Sequence, residues 1–285
     1  WASGGTLVSG NRRNAVVSCG VQTAALIAGG YRSDSPAGNT AFTEVYNGSS
    51  WSEVADLNSA RAFGNGSTNG TTTATIAAGG NNPSDAATDL VELYNGTCWS
   101  EIAELTTARK ETPGGAGVST SALIFGGNVP VIVNTESWNG SAWSEVAGNL
   151  NTARKSLAGC GADNTTALAF GGSIPARTAV TELWNGTSWT EVADLNQAKQ
   201  SLGGFGIATS AIAFGGDTPP VTVNTESWNG TSWTEVNNLA SAQQYGNGAG
   251  SSGNLSGLAI GGYPDRATTE EWTVPDVVIK TVTTS

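Results

Sequence analysis

Short apolar runs, each closed by a glycine pair, recur along this chain: Ala24–Ala28 ends at Gly29-Gly30 and Ala167–Phe170 at Gly171-Gly172, with further pairs at Gly79-Gly80, Gly126-Gly127, Gly215-Gly216 and Gly261-Gly262. Four or five apolar residues bounded by turn residues suit a buried strand. After each pair comes a polar stretch of variable length, then a segment with Glu and an aromatic two residues apart: Glu44/Tyr46, Glu92/Tyr94, Glu136/Trp138, Glu182/Trp184, Glu226/Trp228 and Glu270/Trp272. A spacing of two puts both side chains on one face of a strand.

In five of the six copies the aromatic is followed by Asn-Gly and then by a tryptophan, at Trp51, Trp99, Trp143, Trp189 and Trp233. Asn-Gly between two strand-like runs predicts a hairpin of type I′, with the two aromatics meeting across it. The sixth copy ends at Trp272-Thr-Val-Pro without its second aromatic, and Trp1 can supply it. The segment Trp1 to Val8 is therefore expected to pair with the strand around Glu270 to Val274, joining the two ends of the chain in one sheet. All ten tryptophans are used by this framework, at positions 1, 51, 99, 138, 143, 184, 189, 228, 233 and 272, which leaves none as a sugar-stacking platform.

The glycine pairs lie 44 to 50 residues apart, the period of a propeller blade. The expected fold is all-β: a six-bladed β-propeller with four antiparallel strands per blade, occupying residues 1–275 as one domain, with 276–285 as a tail or linker. Gly-Gly after an apolar strand, an aromatic in the third strand, Trp in the fourth and Arg before the next copy resemble the kelch repeat over nearly the whole chain. The Asn-Gly-Ser/Thr hairpins, the connector Glu-Val-Ala-Asp-Leu-Asn-x-Ala-Arg and the ending Thr-Glu-Glu-Trp-Thr-Val-Pro are similar to a variant seen in kelch-like proteins of marine bacteriophages. Such a fold hosts enzymes, scaffolds and lectins alike, so function has to be argued from a site.

Composition narrows the chemistry. A net charge of -11 disfavours nucleic acid, because phosphate binding needs a basic surface. No apolar run approaches the roughly 20 residues of a membrane span, so no membrane insertion is expected. Histidine is absent, which removes the commonest general base and metal ligand; the copper site of galactose oxidase, a kelch-type enzyme that uses His, is not implied. No Ser-x-Asp-x-Gly-x-Thr-Trp box of the sialidases is present. Paired carboxylates such as Glu44 with Glu53 and Glu182 with Glu191 have the makings of a glycosidase dyad, but they occur five times over, as structural groups do. Cys19, Cys98 and Cys160 lack metal or disulfide spacing and read as small packed thiols. Neither catalysis nor a cofactor is expected.

In a four-strand meander the loops after Gly-Gly and the inter-blade connectors share one face, where binding belongs. The candidate ligand-face residues are Asp34, Asp85, Arg177, Asp217 and Asp265 from the loops, and Arg13, Arg61, Arg109, Arg154 and Lys199 from the connectors, with Gln243 at the sixth position. The connector cations either form a funnel for anions or acidic glycans, or each pairs with a strand Glu or a connector acid such as Asp56, Glu104 or Asp194. The polar, weakly charged repeat, the lack of a catalytic constellation and the phage-like variant together lead to a non-enzymatic structural or adhesive module of a virus particle, a phage tail or surface appendage. It would be virion-borne or extracellular, with other virion proteins or a host-surface glycan as partners. The alternative is a cellular or secreted kelch domain that binds a protein through the same face.

Overall fold

The computed structural model describes residues 1–10, 13–33, 38–112, 114–128, 130–251, 253–264 and 266–274. Six four-stranded antiparallel sheets form a ring, and the described residues contain no helix. Blade 1 runs outward from Val17–Val21 through Ala24–Ala28 and Thr43–Tyr46 to Trp51–Val54. Blades 2 to 5 repeat this order, with inner strands Asn65–Gly66, Gly114–Val118, Ala158–Asp163 and Gly203–Ile207. The expected tail at 276–285 lies outside the described residues.

Blade 6 takes three strands from the end of the chain, Asn247–Ala249, Ser256–Ile260 and Thr269–Thr273, and its outer strand, Ala2–Ser3, from the beginning. Ala2 pairs with Glu271 and Ser3 with Glu270. Regular pairing is shorter than the expected Trp1–Val8, but the amides of Gly4 and Leu7 still donate to Thr269 and Ala267. Trp1 packs against Trp272 at 5.3 Å, the counterpart of Tyr46 with Trp51 at 5.0 Å and Trp228 with Trp233 at 5.4 Å. Closure leaves no open radial seam, which limits exposed strand edges.

The tryptophans also fasten blade to blade. Outer-strand indoles donate to a threonine in the third strand of the preceding blade: Trp1 to Thr225, Trp51 to Thr269, Trp99 to Thr43, Trp189 to Thr135 and Trp233 to Thr181. Third-strand indoles turn inward, as Trp184 does to the carbonyl of Asn164.

The hairpins differ from the expected type I′. Only the glycine has positive φ, 92° at Gly48 and 91° at Gly96. The asparagine stands before the turn: Asn47 Oδ1 accepts from the amides of Ser49 and Ser50, and Asn47 N donates to Ser50 O. This puts glycine at the first central position, the place a type II′ turn reserves for it, and gives asparagine a capping role through its side chain.

Near the axis, glycine lets the inner strands touch through their backbones. A Cβ on Gly248 would lie 2.2 Å from the carbonyl oxygen of Gly204, and one on Gly115 2.5 Å from that of Gly66. The cavity left on the axis is only about 50 Å³.

Candidate functional site

The connector cations of four blades are not on the ligand face. Arg61, Arg109, Arg154 and Lys199 are buried, and each reaches the third-strand glutamate of the following blade: Arg61 to Glu92 at 2.9 Å, Arg154 to Glu182 at 2.8 Å, Lys199 to Glu226 at 3.0 Å, and Arg109 to Glu136 likewise. Each arginine also forks to two backbone carbonyls, as Arg61 does to Gly79 and Leu90 at 2.9 and 2.8 Å. The same glutamates hold the connector itself; Glu182 accepts from the amide and side chain of Asn151 at 2.7 and 2.8 Å. Of the two pairings open in the sequence, these cations take the strand glutamate, and the anion funnel is excluded because none of the four meets solvent. Burial lowers the pKa of Arg61 and of Lys199, and the adjacent glutamate opposes it. The carboxylates once considered as dyads are divided by this clamp: Glu44 is buried against the amides of Val8 and Ser9, while Glu53 is exposed.

Arg13 is different. It bridges to Tyr31 through the backbone, where the other blades have Ala62, Lys110, Lys155, Gln200 and Gln244 bridging to the loop after Gly-Gly. It is thus one residue beyond the clamp position; Arg12 lies outside the described residues. Its guanidinium sits 4.9 Å from the ring centre of Tyr31 and 5.1 Å from that of Tyr263. These six bridges bring connectors and loops together on one face, as the meander requires.

The next residue in every blade closes a circle around the axis. Asn14 N donates to Tyr245 O at 3.1 Å, Tyr245 N to Ser201 O at 2.7 Å, Ser201 N to Ser156 O at 2.8 Å, and Ser156 N to Glu111 O at 2.8 Å. Thr112 N then donates to Phe63 O at 3.0 Å, and Phe63 N returns to Asn14 O at 2.9 Å. The third connector spends two residues, Glu111 and Thr112, where the others spend one. All seven have φ between 50° and 62°, a region that costs a non-glycine residue on the order of 1 kcal/mol or more.

Over this circle lies a bowl of about 200 Å³ lined by Phe63, Asn81, Asp85, Lys110, Glu111, Ser156 and Tyr245. The rings of Phe63 and Tyr245 meet edge to face at 6.2 Å. Its charges are matched: Lys110 Nζ lies 2.9 Å from Asp85 Oδ1, and Lys155 Nζ 2.6 Å from Glu111 Oε2. Lys110 and Asn81 hydrogen bond the Asp85 carboxylate and lower its pKa. Asn128 donates to Glu111 Oε1 at 2.7 Å. Farther round the face, Arg177 and Asp217 pair at 2.6 Å.

Of the candidate residues, Arg13, Asp85, Arg177 and Asp217 therefore lie on the loop face, with Asp85 in the bowl itself. Asp34 and Asp265 lie outside the described residues. Sequence reasoning passed over Phe63, Lys110, Glu111, Ser156 and Tyr245. Their signal was that positions one and two beyond the clamp cation vary in chemical type from blade to blade, while the framework on either side repeats. Among the described residues no group of His, Cys, Asp and Glu is arranged to hold a metal, and no helix is long and apolar enough to cross a membrane. The architecture is that of a six-bladed β-propeller with one polar and aromatic bowl on its loop face; no family model matches the chain, and no curated protein matches it at a significant level.

Proposed function

We propose that this chain is a non-enzymatic adhesive module of kelch type whose loop face binds carbohydrate, in the setting of a virus particle that attaches to a host surface. One observation carries the binding site. All eight non-glycine residues with positive φ among the described residues, Asn14, Phe63, Asp85, Glu111, Thr112, Ser156, Ser201 and Tyr245, fall on this face, and five of them line the bowl. Elsewhere the chain answers the same backbone demand with glycine, at both members of all six Gly-Gly pairs. Glycine would relieve the circle too. Side chains held at a conformational cost in one place are a functional signal.

The chemistry of those side chains favours a sugar. Two aromatic rings supply apolar faces, and Asn81, Asp85, Lys110 and Glu111 supply donors and acceptors suited to hydroxyls. A cavity of about 200 Å³ exceeds the roughly 150 Å³ that holds a benzene-sized guest, so one sugar ring is the appropriate scale. The bowl's carboxylates are engaged by Lys110, Asn81, Lys155 and Asn128, which supports recognition over acid–base chemistry. The virion setting is supported by the likeness of the connectors and of the final strand to phage kelch-like sequences.

A glycan array probed with the protein and with a Phe63→Gly/Tyr245→Gly variant tests the site. Binding by the wild type that is lost in a variant melting no lower than the wild type is expected; no binding, or binding that survives the double substitution, refutes it. Mass spectrometry of purified particles tests the setting, and absence of the chain from them would remove the virion part of the proposal.

A further inference from the structure

We infer that the ligand of this face is an oligosaccharide rather than a single sugar, and that the residue next to the one in the bowl lies against Tyr31 and Tyr263. The inference rests on the carbohydrate reading above and gives the ligand its length and direction.

The aromatic residues of this chain fall into two groups. All ten tryptophans, with Tyr46, Tyr94, Phe125, Phe170, Phe205 and Phe214, are packed within or between the blades. The five that remain, Tyr31, Phe42, Phe63, Tyr245 and Tyr263, all keep surface in solvent. They come from the loops of blades 1 and 6 and from the connectors that flank those blades, while the loops after Gly-Gly in blades 2 to 5 contain no aromatic at all. In a framework repeated six times, the exposed rings are therefore gathered on one side of the face. Phe63 and Tyr245 line the bowl.

Backbone contacts make Tyr31 and Tyr263 neighbours of that bowl. Tyr31 bridges to Arg13, which precedes Asn14, and Asn14 N donates to Tyr245 O at 3.1 Å. Tyr263 bridges to Gln244, which precedes Tyr245 itself. The guanidinium of Arg13 lies 4.9 Å from the ring centre of Tyr31 and 5.1 Å from that of Tyr263, within the range of a cation–π contact. One cation thus ties the loops of blades 1 and 6 together and holds both rings in place before a ligand arrives, which lowers the ordering cost of binding. Tyr263 remains 40% exposed. A tyrosine has an apolar body and a polar tip, the two halves that a pyranose needs for its C–H face and its hydroxyl edge. A bowl of about 200 Å³ takes one ring, so a second pair of rings beside it suits the next residue of a chain. The opposite sector of the face offers the ion pairs Lys110–Asp85, Lys155–Glu111 and Arg177–Asp217 and no ring, so the chain runs from the bowl toward blades 6 and 1.

The test is an array carrying glucose, galactose, mannose and N-acetylglucosamine, each as the single sugar and as its di-, tri- and tetrasaccharide, read at graded concentrations of the intact protein. In at least one series the trisaccharide is expected to bind no less than tenfold tighter than the single sugar. Tyr31→Ala/Tyr263→Ala should bring the longer members down to the level of the single sugar and leave that level unchanged, whereas Phe63→Gly/Tyr245→Gly should remove binding at every length. Tyr263→Ala alone, at an exposed position, should reduce the gain with length should the double substitution disturb folding. Equal affinity at every length would leave the bowl standing and overturn the second subsite. So would a gain with length that both tyrosine variants retain. Failure of every member to bind would overturn both readings.

Discussion

Among the described residues the indole nitrogen of Trp143 has no hydrogen-bond partner, and the residue that should provide one is Val91. In the other five blades the equivalent third-strand position is threonine, whose hydroxyl accepts from the tryptophan of the next blade. Valine and threonine share a shape but not an acceptor. Val91→Thr is therefore expected to stabilise the protein by about 1 kcal/mol, the net value of a buried hydrogen bond that also relieves an unsatisfied donor. Chemical denaturation of the two proteins measures it, and a neutral or destabilising result would mean that Trp143 is satisfied in another way.

The clamp between blades 4 and 5 is also incomplete. Lys199 meets Glu226 as a point charge, whereas Arg61, Arg109 and Arg154 add two carbonyl contacts each from a forked guanidinium. Lys199→Arg should raise stability by about 1–2 kcal/mol through charge-assisted bonds to carbonyls. Arg154→Ala should lower it by about 3–5 kcal/mol, because Glu182 is left buried without its cation. Urea midpoints of the three proteins would order them, and an Arg154→Ala variant as stable as wild type would contradict the clamp.

Removal of Trp1 to Leu7 deletes the outer strand of blade 6 and with it the Trp1–Trp272 contact and the Trp1 bond to Thr225. The melting temperature of the shortened chain should fall by several degrees, each kcal/mol costing roughly 2–4 °C at this chain length. An unchanged melt would show that the first strand does not close the ring.

Cysteine chemistry separates surface from core. Burial pushes the Cys19 thiol up to about 12 and raises that of Cys160 as well, so neither forms a thiolate near neutral pH; Cys98 is exposed in its hairpin. Titration with a thiol reagent at pH 8 should count one reactive group in the native protein and three after unfolding. Three fast groups in the native state would mean that the inner strands open readily.

Relief of strain offers a last check. Ser201→Gly keeps the circle's hydrogen bonds and removes a side chain from a positive-φ position at 54°, at a residue that is not itself part of the bowl's lining. It should stabilise by about 0.5–1 kcal/mol, measurable in the same denaturation series; a loss would show that the serine side chain supports the circle.

Much of this architecture could be read from the chain before any coordinates. The Gly-Gly pairs, the Glu-x-aromatic strands and the displaced Trp1 carry local signals that repeat, so six weak patterns reinforce one another. The bowl could not be read in this way. Asn14, Phe63, Glu111, Ser156, Ser201 and Tyr245 share a conformation but no chemistry, and what imposes positive φ on them is the closing of a circle through residues some fifty positions apart, which no local pattern records. The clamp was half visible: cations and glutamates recur in step, but whether Arg61 faces water or Glu92 depends on how neighbouring blades stack. Turn type failed for a simpler reason, since Asn47 serves as a cap in front of the turn and Gly48 alone takes the positive φ.

Among the described residues, the close approach of Gly248 to Gly204 and of Gly115 to Gly66 narrows the axis beneath the bowl. With a cavity of only about 50 Å³ on the axis among the described residues, an occupant of the bowl, on the proposed reading, enters and departs on the loop face, past Phe63 and Tyr245. The hairpin face, turned the other way, is free to be held by a neighbour without disturbing that traffic.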